Sequence, residues 1–552
     1  MKDDSPRREA RSPSDDAFAL GPAFDATSLP PAQVKDVNTT NIRSAIELGC
    51  RAMGQIFNPA DAGLPYMYTR IWPDGWLGFS PYHAAIQMSG RHLDALLAAE
   101  AALGLELDER VIEQHARASF ASYGGGLPLP CNHSKPGGPL VTVDEHSLRE
   151  SFQALHALVR HRSSDRAREI AEAGIWRILE TWSPETGWDS AAIEREYRFG
   201  LTERPTFVEG VGRSIGPLVK YHRATGFEPA LELAHLLAAH ATERFFLADG
   251  SYDASRFGEH THSTTCVMSS LAQLADHTDD NELLARVQAF YDRGLRAIRD
   301  DVGWVVERYN DTVNSEQGEM NNVGDVIETA LILGRRLNDR YYDDAERFLR
   351  SQLLPSQVRD LDFTAVIDGG DERHDIRGRL TGIFGFNAVY GHLPAGKNEA
   401  AQSLDIVGGA VASLCAAYRA IVRRKKNATF VDLLFDHETA EVTVGSPYTG
   451  PGLRITPRVP GDVVVRVPKW VNRTAIQIDG IPVGDRLGGS RIRLNRPTVG
   501  TTIEIDFPLP VHDLLLRHRR HEIRARLRGD EVIAMDCLGP GLAYFPPMEV
   551  TE

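Results

Sequence analysis

Apolar residues recur at helical spacing through most of the first three quarters of the chain, and at every second position through the last quarter. In PALELAHLLAAHATERFF, Pro229 takes a first-turn position and Leu231, Leu233, Leu236 and Leu237 recur at helical spacing. Windows of this kind predict about twelve helices, near 39–55, 82–103, 107–121, 146–161, 166–181, 212–224, 229–245, 262–276, 281–299, 323–337, 340–353 and 407–424. Short and long connectors alternate between them. The short ones end near Gly104, Ser164, Gly226, Asp279 and Asp339, at steps of 60, 62, 53 and 60 residues. Segments such as AEAALGLELDE and LADHTDDNELL put Gly, Asp or Asn where a sharp reversal needs left-handed backbone or a helix cap.

Each repeat is therefore a helical hairpin, which cannot bury its apolar face alone and must stack on its neighbours. Six hairpins close into an (α/α)6 barrel if the first helix pairs with the last. After about Lys426 the texture changes to ATFVDLLF, AEVTVG, DVVVRVP, AIQIDGIPV, RIRLN and TIEIDFPL, which read as strands of a β-sandwich. The fold class expected is mainly α, with an (α/α)6 barrel over 36–426 and a β-sandwich over 427–552. Residues 1–35, charged and rich in Ser and Pro, read as a disordered leader.

A chain of 552 residues with 42% hydrophobic and 25% charged residues is an ordinary folded protein of more than one domain. The net charge of −15, with no basic patch, argues against nucleic acid or an anionic membrane as partner. No stretch approaches the ~18 apolar residues of a membrane span. The 5 cysteines are widely separated and form no CxxC pair, which suggests reduced thiols and a cytoplasmic location.

The long connectors, near 56–81, 122–145, 182–211, 246–261, 300–322 and 354–406, all fall on one side of the alternation, so their chemistry should converge at one end of the barrel. Five of the 7 tryptophans, Trp72, Trp76, Trp182, Trp188 and Trp304, lie on or beside them. Indoles near acids, Arg and His suit a sugar, whose C–H faces stack on the ring while charged groups hold hydroxyls. The segment GWVVERYNDTVNSEQGEMNN carries Glu307, Asp311, Glu316, Glu319, Asn321 and Asn322 just before a helix, where a shielded carboxylate can act as an acid or base. GEHTHSTTC supplies Glu259, His260, His262 and Cys266. Two His with a Glu invite a metal, but no third strong ligand lies at a recognisable spacing, so hydroxyl binding by the His pair is the stronger reading. Further candidates are Asp144, Glu145 and His146 in VDEHS, Glu209 and Arg213 in ERPTFVEGVGRS, and His83 and Arg91 in SPYHAAIQMSGRH.

The chain after residue 39 resembles the β-L-arabinofuranosidase-like glycoside hydrolases, which join an (α/α)6 barrel to β-sandwich domains. The likeness is most specific near the C-terminal end, where VVVRVPKWVNRTAIQIDGIPV, RIRLNRPTVGTTIEIDFPLPV and VIAMDCLGPGLAY follow in the family's order. GEHTHS is similar to the family's His-containing loop, which places His260 or His262 at the substrate. GEMNN is similar to its Glu-x-Cys motif, which places Glu319 at the glutamate and Asn321 at the first cysteine. Characterised members bind zinc through that Glu and three Cys, one of which also serves as nucleophile. Here the tandem Cys is replaced by DIVGG, Asp405 to Gly409. An amide cannot replace a zinc thiolate, so neither the metal nor the cysteine mechanism carries over, and no cofactor is expected.

What the resemblance then implies is a glycoside hydrolase, exo-acting on short oligosaccharides or glycosides, with a carboxylate pair as the simplest substitute. Glu319 and Glu307 lead the candidates, with Glu145 and Asp405 behind them. His260, His262, Trp76, Trp72, Arg213, Glu209, Asn321, His83 and His146 are expected to hold the carbohydrate. Two alternatives stand beside this: β-elimination by a lyase using His260, His262 or Tyr309, and an inactive sugar-binding protein. A homo-oligomer is left open.

Overall fold

The computed structural model of the chain describes residues 31–60, 62–80, 85–134, 138–309, 317–385, 400–518, 521–537 and 542–549. His83, Asp311, Glu316 and most of the expected leader lie outside them. Six helices form a closed inner ring in which each packs on the next: Ile86–Leu103, Leu148–Arg162, Ile215–Thr225, Thr261–Thr278, Met320–Arg336 and Asp405–Ala420, the last returning to the first. Outside them lie Ile42–Met53, Glu109–Phe120, Asp165–Thr181, Glu228–Arg244, Asn281–Asp292 and Arg340–Phe348. Ile42–Met53 packs on Asp405–Ala420, so the first and last helices pair and the (α/α)6 barrel closes.

Burial separates the two rings. In the outer helix Asp165–Thr181 only Ala167, Ala171, Gly174, Ile175, Ile178 and Thr181 are buried, one stripe at helical spacing. In the inner helix Ile86–Leu103 every residue from Ile86 to Leu97 is buried, charged ones included. Close packing depends on small residues. A Cβ on Gly90 would stand 2.1 Å from the backbone oxygen of Glu150 on the next inner helix.

The short turns take the predicted form. Gly104, Ser163, Gly226 and Asp279 end their helices at φ of 66°, 51°, 71° and 59°, in the left-handed region. The side chains of Asp108, Ser164 and Asp280 then cap the following helices by accepting from backbone N–H groups. At the last turn Asp339 precedes its helix with an ordinary φ of −66°.

The long connectors carry small sheets that the sequence reading did not anticipate. Tyr68–Trp72 pairs with Trp76–Gly78 and with Ala400–Ser403, tying the first connector to the last. Leu140–Asp144 pairs with Cys131–His133 and Gly200–Thr202. Such strands are too short for a period of two to stand out. Several helix boundaries also move. Met320–Arg336 starts three residues earlier than predicted, which makes Glu319 its N-cap. Asn281–Asp292 ends ahead of a separate turn at Gly294–Ala297, and Arg340–Phe348 continues as a π-helical turn over Leu349–Leu353. The last helix stops at Ala420, because Val422–Lys425 already pairs as a strand with Ala428–Val431.

Two sheets face each other beyond the barrel. One runs Val422–Lys425, Ala428–Val431, Asp462–Arg466, Arg491–Leu494, Leu487–Gly488, and the other His437–Glu438, Val442–Gly445, Leu453–Pro457, Ile503–Asp506, Gln477–Ile478, Ile481–Pro482. Their shared core takes Val442, Val444, Leu453, Ile455, Val463, Val465, Ile492 and Ile505, the alternate residues of each strand. The third sheet, Val511–His518, His521–Arg528 and Glu531–Met535, packs elsewhere: Leu516, Ile523, Ala525, Leu527 and Val532 join the apolar core of the barrel. Ala32–Gln33 pairs in parallel with Leu542–Ala543.

A band of buried charge locks barrel to sandwich. Arg466, fully buried, pairs with Asp343 and Glu346 of an outer helix. Arg350 donates to Glu346 (3.0 Å), to the Thr39 carbonyl (3.1 Å) and to the Leu434 carbonyl (2.9 Å). Its guanidinium lies 3.8 Å from the Phe435 ring centre and 3.7 Å from that of Tyr448.

Candidate active site

The inner helices begin at the end of the barrel where the long connectors gather, and their first turns bring the candidate residues together. Glu319, the N-cap of Met320–Arg336, has its Oε1 3.4 Å from His262 Nδ1 and its Oε2 3.8 Å from His260 Nε2. Asn321 Nδ2 donates to Glu319 Oε1 at 2.7 Å. The other nitrogen of His262 lies 3.5 Å from Asp325 Oδ2, which also accepts from Thr265 Oγ1 at 3.0 Å. His260 Nδ1 lies 2.9 Å from Ser263 Oγ. The donor atoms of His260, His262 and Glu319 all lie within 4.8 Å of one another. A third donor beside the His pair is thus Glu319, which no spacing rule connects to them because it arrives from the next long connector.

Beneath this cluster the inner ring carries buried ion pairs. Glu150 accepts from Arg91 at 3.0 Å, from Arg149 at 3.2 Å and from Arg213 at 2.9 Å. Arg91 also reaches Asp405 Oδ2 at 2.8 Å, which Gln87 approaches to 3.2 Å. Burial alone would push the Glu150 carboxyl up, but Arg213, Arg91 and Arg149 hold it down at about 2. The same three cations, added to burial, keep the His262 imidazole far below its ordinary value and therefore neutral. Burial pushes Glu319 up as well, yet His260, Arg91 and Asn321 outweigh it and hold the carboxyl below its usual range. Asp325 goes the other way, raised to about 7 by burial, with Glu328 and Glu319 adding to the rise.

The remaining predicted residues surround this floor unequally. Glu307 belongs to the segment above it: its carbonyl accepts from the Thr261 N–H at 3.0 Å and its own N–H donates to Gln317 at 2.9 Å, one residue from His260 and two from Glu319. His146 Nδ1 donates to the Glu209 carbonyl at 2.7 Å, and its ring centre is 5.6 Å from that of His260. Arg213 does not face a substrate. It is fully buried between Glu150 and the carbonyl of His146, where it clamps two connectors to the ring. Glu145 is likewise occupied: Trp188 Nε1 donates to its Oε2 at 2.7 Å and the Arg204 N–H to its Oε1. Burial raises its carboxyl to about 7. Of the rim tryptophans, Trp72, Trp182, Trp188 and Trp304 are buried and anchor the connectors, and Trp76 alone is half-buried. Glu319, expected as an acid or base, has both oxygens engaged by the cluster around it.

Sequence reading missed Arg149, Glu150, Asp325 and Gln87. A charged residue in a helix reads as a solvated face, and only membership of the inner ring makes it buried. The available signal was a charge placed in the first turns of segments otherwise apolar or small on every side, as in SLRESFQALHAL and NNVGDVIETAL.

The thiolate zinc site implied by the resemblance does not fit these residues. Asn321 offers an amide, and a Cβ on Gly409 would lie 1.9 Å from Asn321 Oδ1, so the space of a thiol is taken. Cys266 lies 4.0 Å from the Arg213 carbonyl, and burial pushes its thiol up.

A closed inner ring with its long connectors at one end, followed by β domains, defines the fold as a six-hairpin barrel of the kind found in glycoside hydrolases. Its solved likenesses include Ara127N-Se, a GH127 β-L-arabinofuranosidase from Geobacillus stearothermophilus T6, with 15% identity over 89% of this chain and 80% of that one at a TM-score of 0.53. A second is a GH127 β-arabinofuranosidase with 12% identity, coverage of 91% and 84%, and a TM-score of 0.56. No family model matches the chain, and no curated protein does. At such identities the likeness is one of fold, and function must be argued from the site.

Proposed function

We propose that this protein is a glycoside hydrolase acting on the terminal sugar of short oligosaccharides or simple glycosides in a reducing compartment such as the cytoplasm. The observation that carries the reading is the meeting of two long connectors at the mouth of the inner ring: the His260–His262 loop lies against both the Glu307 segment and the Glu319 cap, which belong to the connector near 300–322. Glycoside cleavage needs polar groups converging on one sugar and a carboxyl that protonates the leaving oxygen. Glu307 takes the proton-transfer role in this proposal, and the cluster of Glu319, His260, His262 and Asn321 forms the floor that faces the sugar. Exo action is our expectation for a site at the end of a barrel whose interior is lined by the Arg91–Glu150–Arg213 ion pairs. The reducing compartment is supported by the cysteines: Cys50, Cys131, Cys266, Cys415 and Cys537 are all free, the first four of them buried.

The test is a panel of aryl glycosides and short oligosaccharides. Wild-type protein should hydrolyse at least one sugar class, and Glu307→Gln should cut kcat by about 10²–10⁴ with KM little changed. The loss should be smaller for an activated aryl leaving group, which departs without protonation. Absence of cleavage across the panel, or an equal loss for good and poor leaving groups, would overturn the reading.

A further inference from the structure

We infer that His260, His262 and Glu319 form a binding site for a divalent transition-metal ion, zinc being the best match. His262 carries the argument. It is buried, and among the described residues neither of its nitrogens has a hydrogen-bond partner, while each lies near a carboxylate, Nδ1 by Glu319 and Nε2 by Asp325. A neutral imidazole has one N–H, so while Asp325 is ionised one lone pair confronts a carboxylate oxygen in either tautomer. A cation between Nδ1 and Glu319 removes that conflict, and the remaining N–H can then point at Asp325.

The surroundings match what metal ligands require. Every donor has an outer partner that orients it: Asp325 behind His262 Nε2, Ser263 Oγ 2.9 Å from His260 Nδ1, and Asn321 Nδ2 on Glu319 Oε1 at 2.7 Å. The separations of 3.4 and 3.8 Å between carboxylate and imidazole atoms approach the roughly 3.3–3.4 Å that ligands at 2.0–2.1 Å keep around a tetrahedral zinc. Two imidazoles and one carboxylate are the donor set of catalytic zinc sites, which keep a further position open for water or substrate, and differ from the thiolate sets of closed structural sites. The buried guanidinium of Arg91 is itself paired with Glu150 at 3.0 Å and with Asp405 at 2.8 Å.

The site is tested on the full chain without any sugar, so its outcome is independent of the hydrolase reading. Chelator-stripped protein titrated with Zn²⁺ should bind one equivalent, and Co²⁺ in its place should give visible d–d absorption. His262→Ala should abolish that equivalent, while Asp325→Asn and Ser263→Ala should weaken affinity by about 10–100-fold. His222→Ala is the control: it removes a histidine pair elsewhere in the barrel, in which His222 Nδ1 lies 2.8 Å from His277 Nε2, and should leave binding unchanged. If His262→Ala does not fold, the outer-partner variants and the Co²⁺ spectrum of wild type still decide. Folded wild-type protein that takes up no equivalent of Zn²⁺ overturns the inference, as does an equivalent lost with His222→Ala or untouched by Asp325→Asn and Ser263→Ala.

Discussion

Two clusters of buried charge hold this molecule, and they differ in how their hydrogen bonds close. Between barrel and sandwich, Arg466 and Arg350 reach carboxylates and carbonyls on three elements, and neither they nor Glu346 and Asp343 leave a buried polar atom without a partner. At the mouth of the ring, His262 Nδ1 and Nε2, Asn321 Oδ1, Glu150 Oε2, Arg213 Nε and Asp405 Oδ1 all lack one. A buried polar atom left unmatched costs roughly 1–3 kcal/mol. Beside the first cluster, Asp432 Oδ1 and Arg491 Nη1 also lack a hydrogen-bond partner but lie 2.7 Å apart as an ion pair, whereas His262 at the mouth faces only carboxylates 3.4 and 3.5 Å away.

The comparison can be broken most directly at the closed network. Arg466→Ala should lower the unfolding free energy by about 3–5 kcal/mol, because it strands Asp343 in the interior and leaves Glu346 to Arg350 alone. Denaturant unfolding measures it, and sugar turnover per folded molecule should not change. A loss under about 1 kcal/mol would mean that the interface is wetter than its burial indicates.

A smaller effect sharpens the contrast through pH. The Glu145 carboxyl is raised to about 7 in the folded chain by burial, from an ordinary value near 4.5. The folded state therefore keeps a proton that the unfolded state has released, so stability is lost as pH rises from about 4.5 to about 7 and is level above that. The size is on the order of 2–3 kcal/mol, and Glu145→Gln should remove it from the difference between unfolding at pH 5 and pH 8.

Gly409→Ala should cost about 1–3 kcal/mol, since the new methyl would stand 1.9 Å from Asn321 Oδ1 and must displace the amide from Glu319. Activity and Zn²⁺ affinity should fall with it. Least costly to the fold should be Asp325→Asn, which keeps an acceptor for Thr265 while discharging a carboxyl that burial disfavours. Its effect on unfolding should stay within about 1 kcal/mol, against the 10–100-fold loss expected in metal affinity. A stability loss as large as that of Arg466→Ala would make the mouth cluster structural.

Much of this fold was legible along the chain. Gly104, Gly226 and Asp279 announce left-handed helix ends, and the long connectors between the hairpins indicate which end carries the chemistry. His260, His262, Glu307 and Glu319 could be singled out because polar residues crowd the starts of helices there. The tryptophans misled: an indole in a loop reads equally as a stacking platform or as an anchor, and burial of Trp72, Trp182, Trp188 and Trp304 decides for the anchor.

Local order, then, came from the sequence itself, since a helix period, a cap or an alternating strand depends on neighbours within a few positions. What only the closed ring decided is which charges meet. Arg91 with Glu150, and Glu319 with His260 and His262, stand about sixty residues apart in the chain, and nothing in their spacing measures a distance that six stacked hairpins reduce to 3–4 Å. Their pairing is a property of the circle, and so is the burial that turns ordinary helix charges into a site.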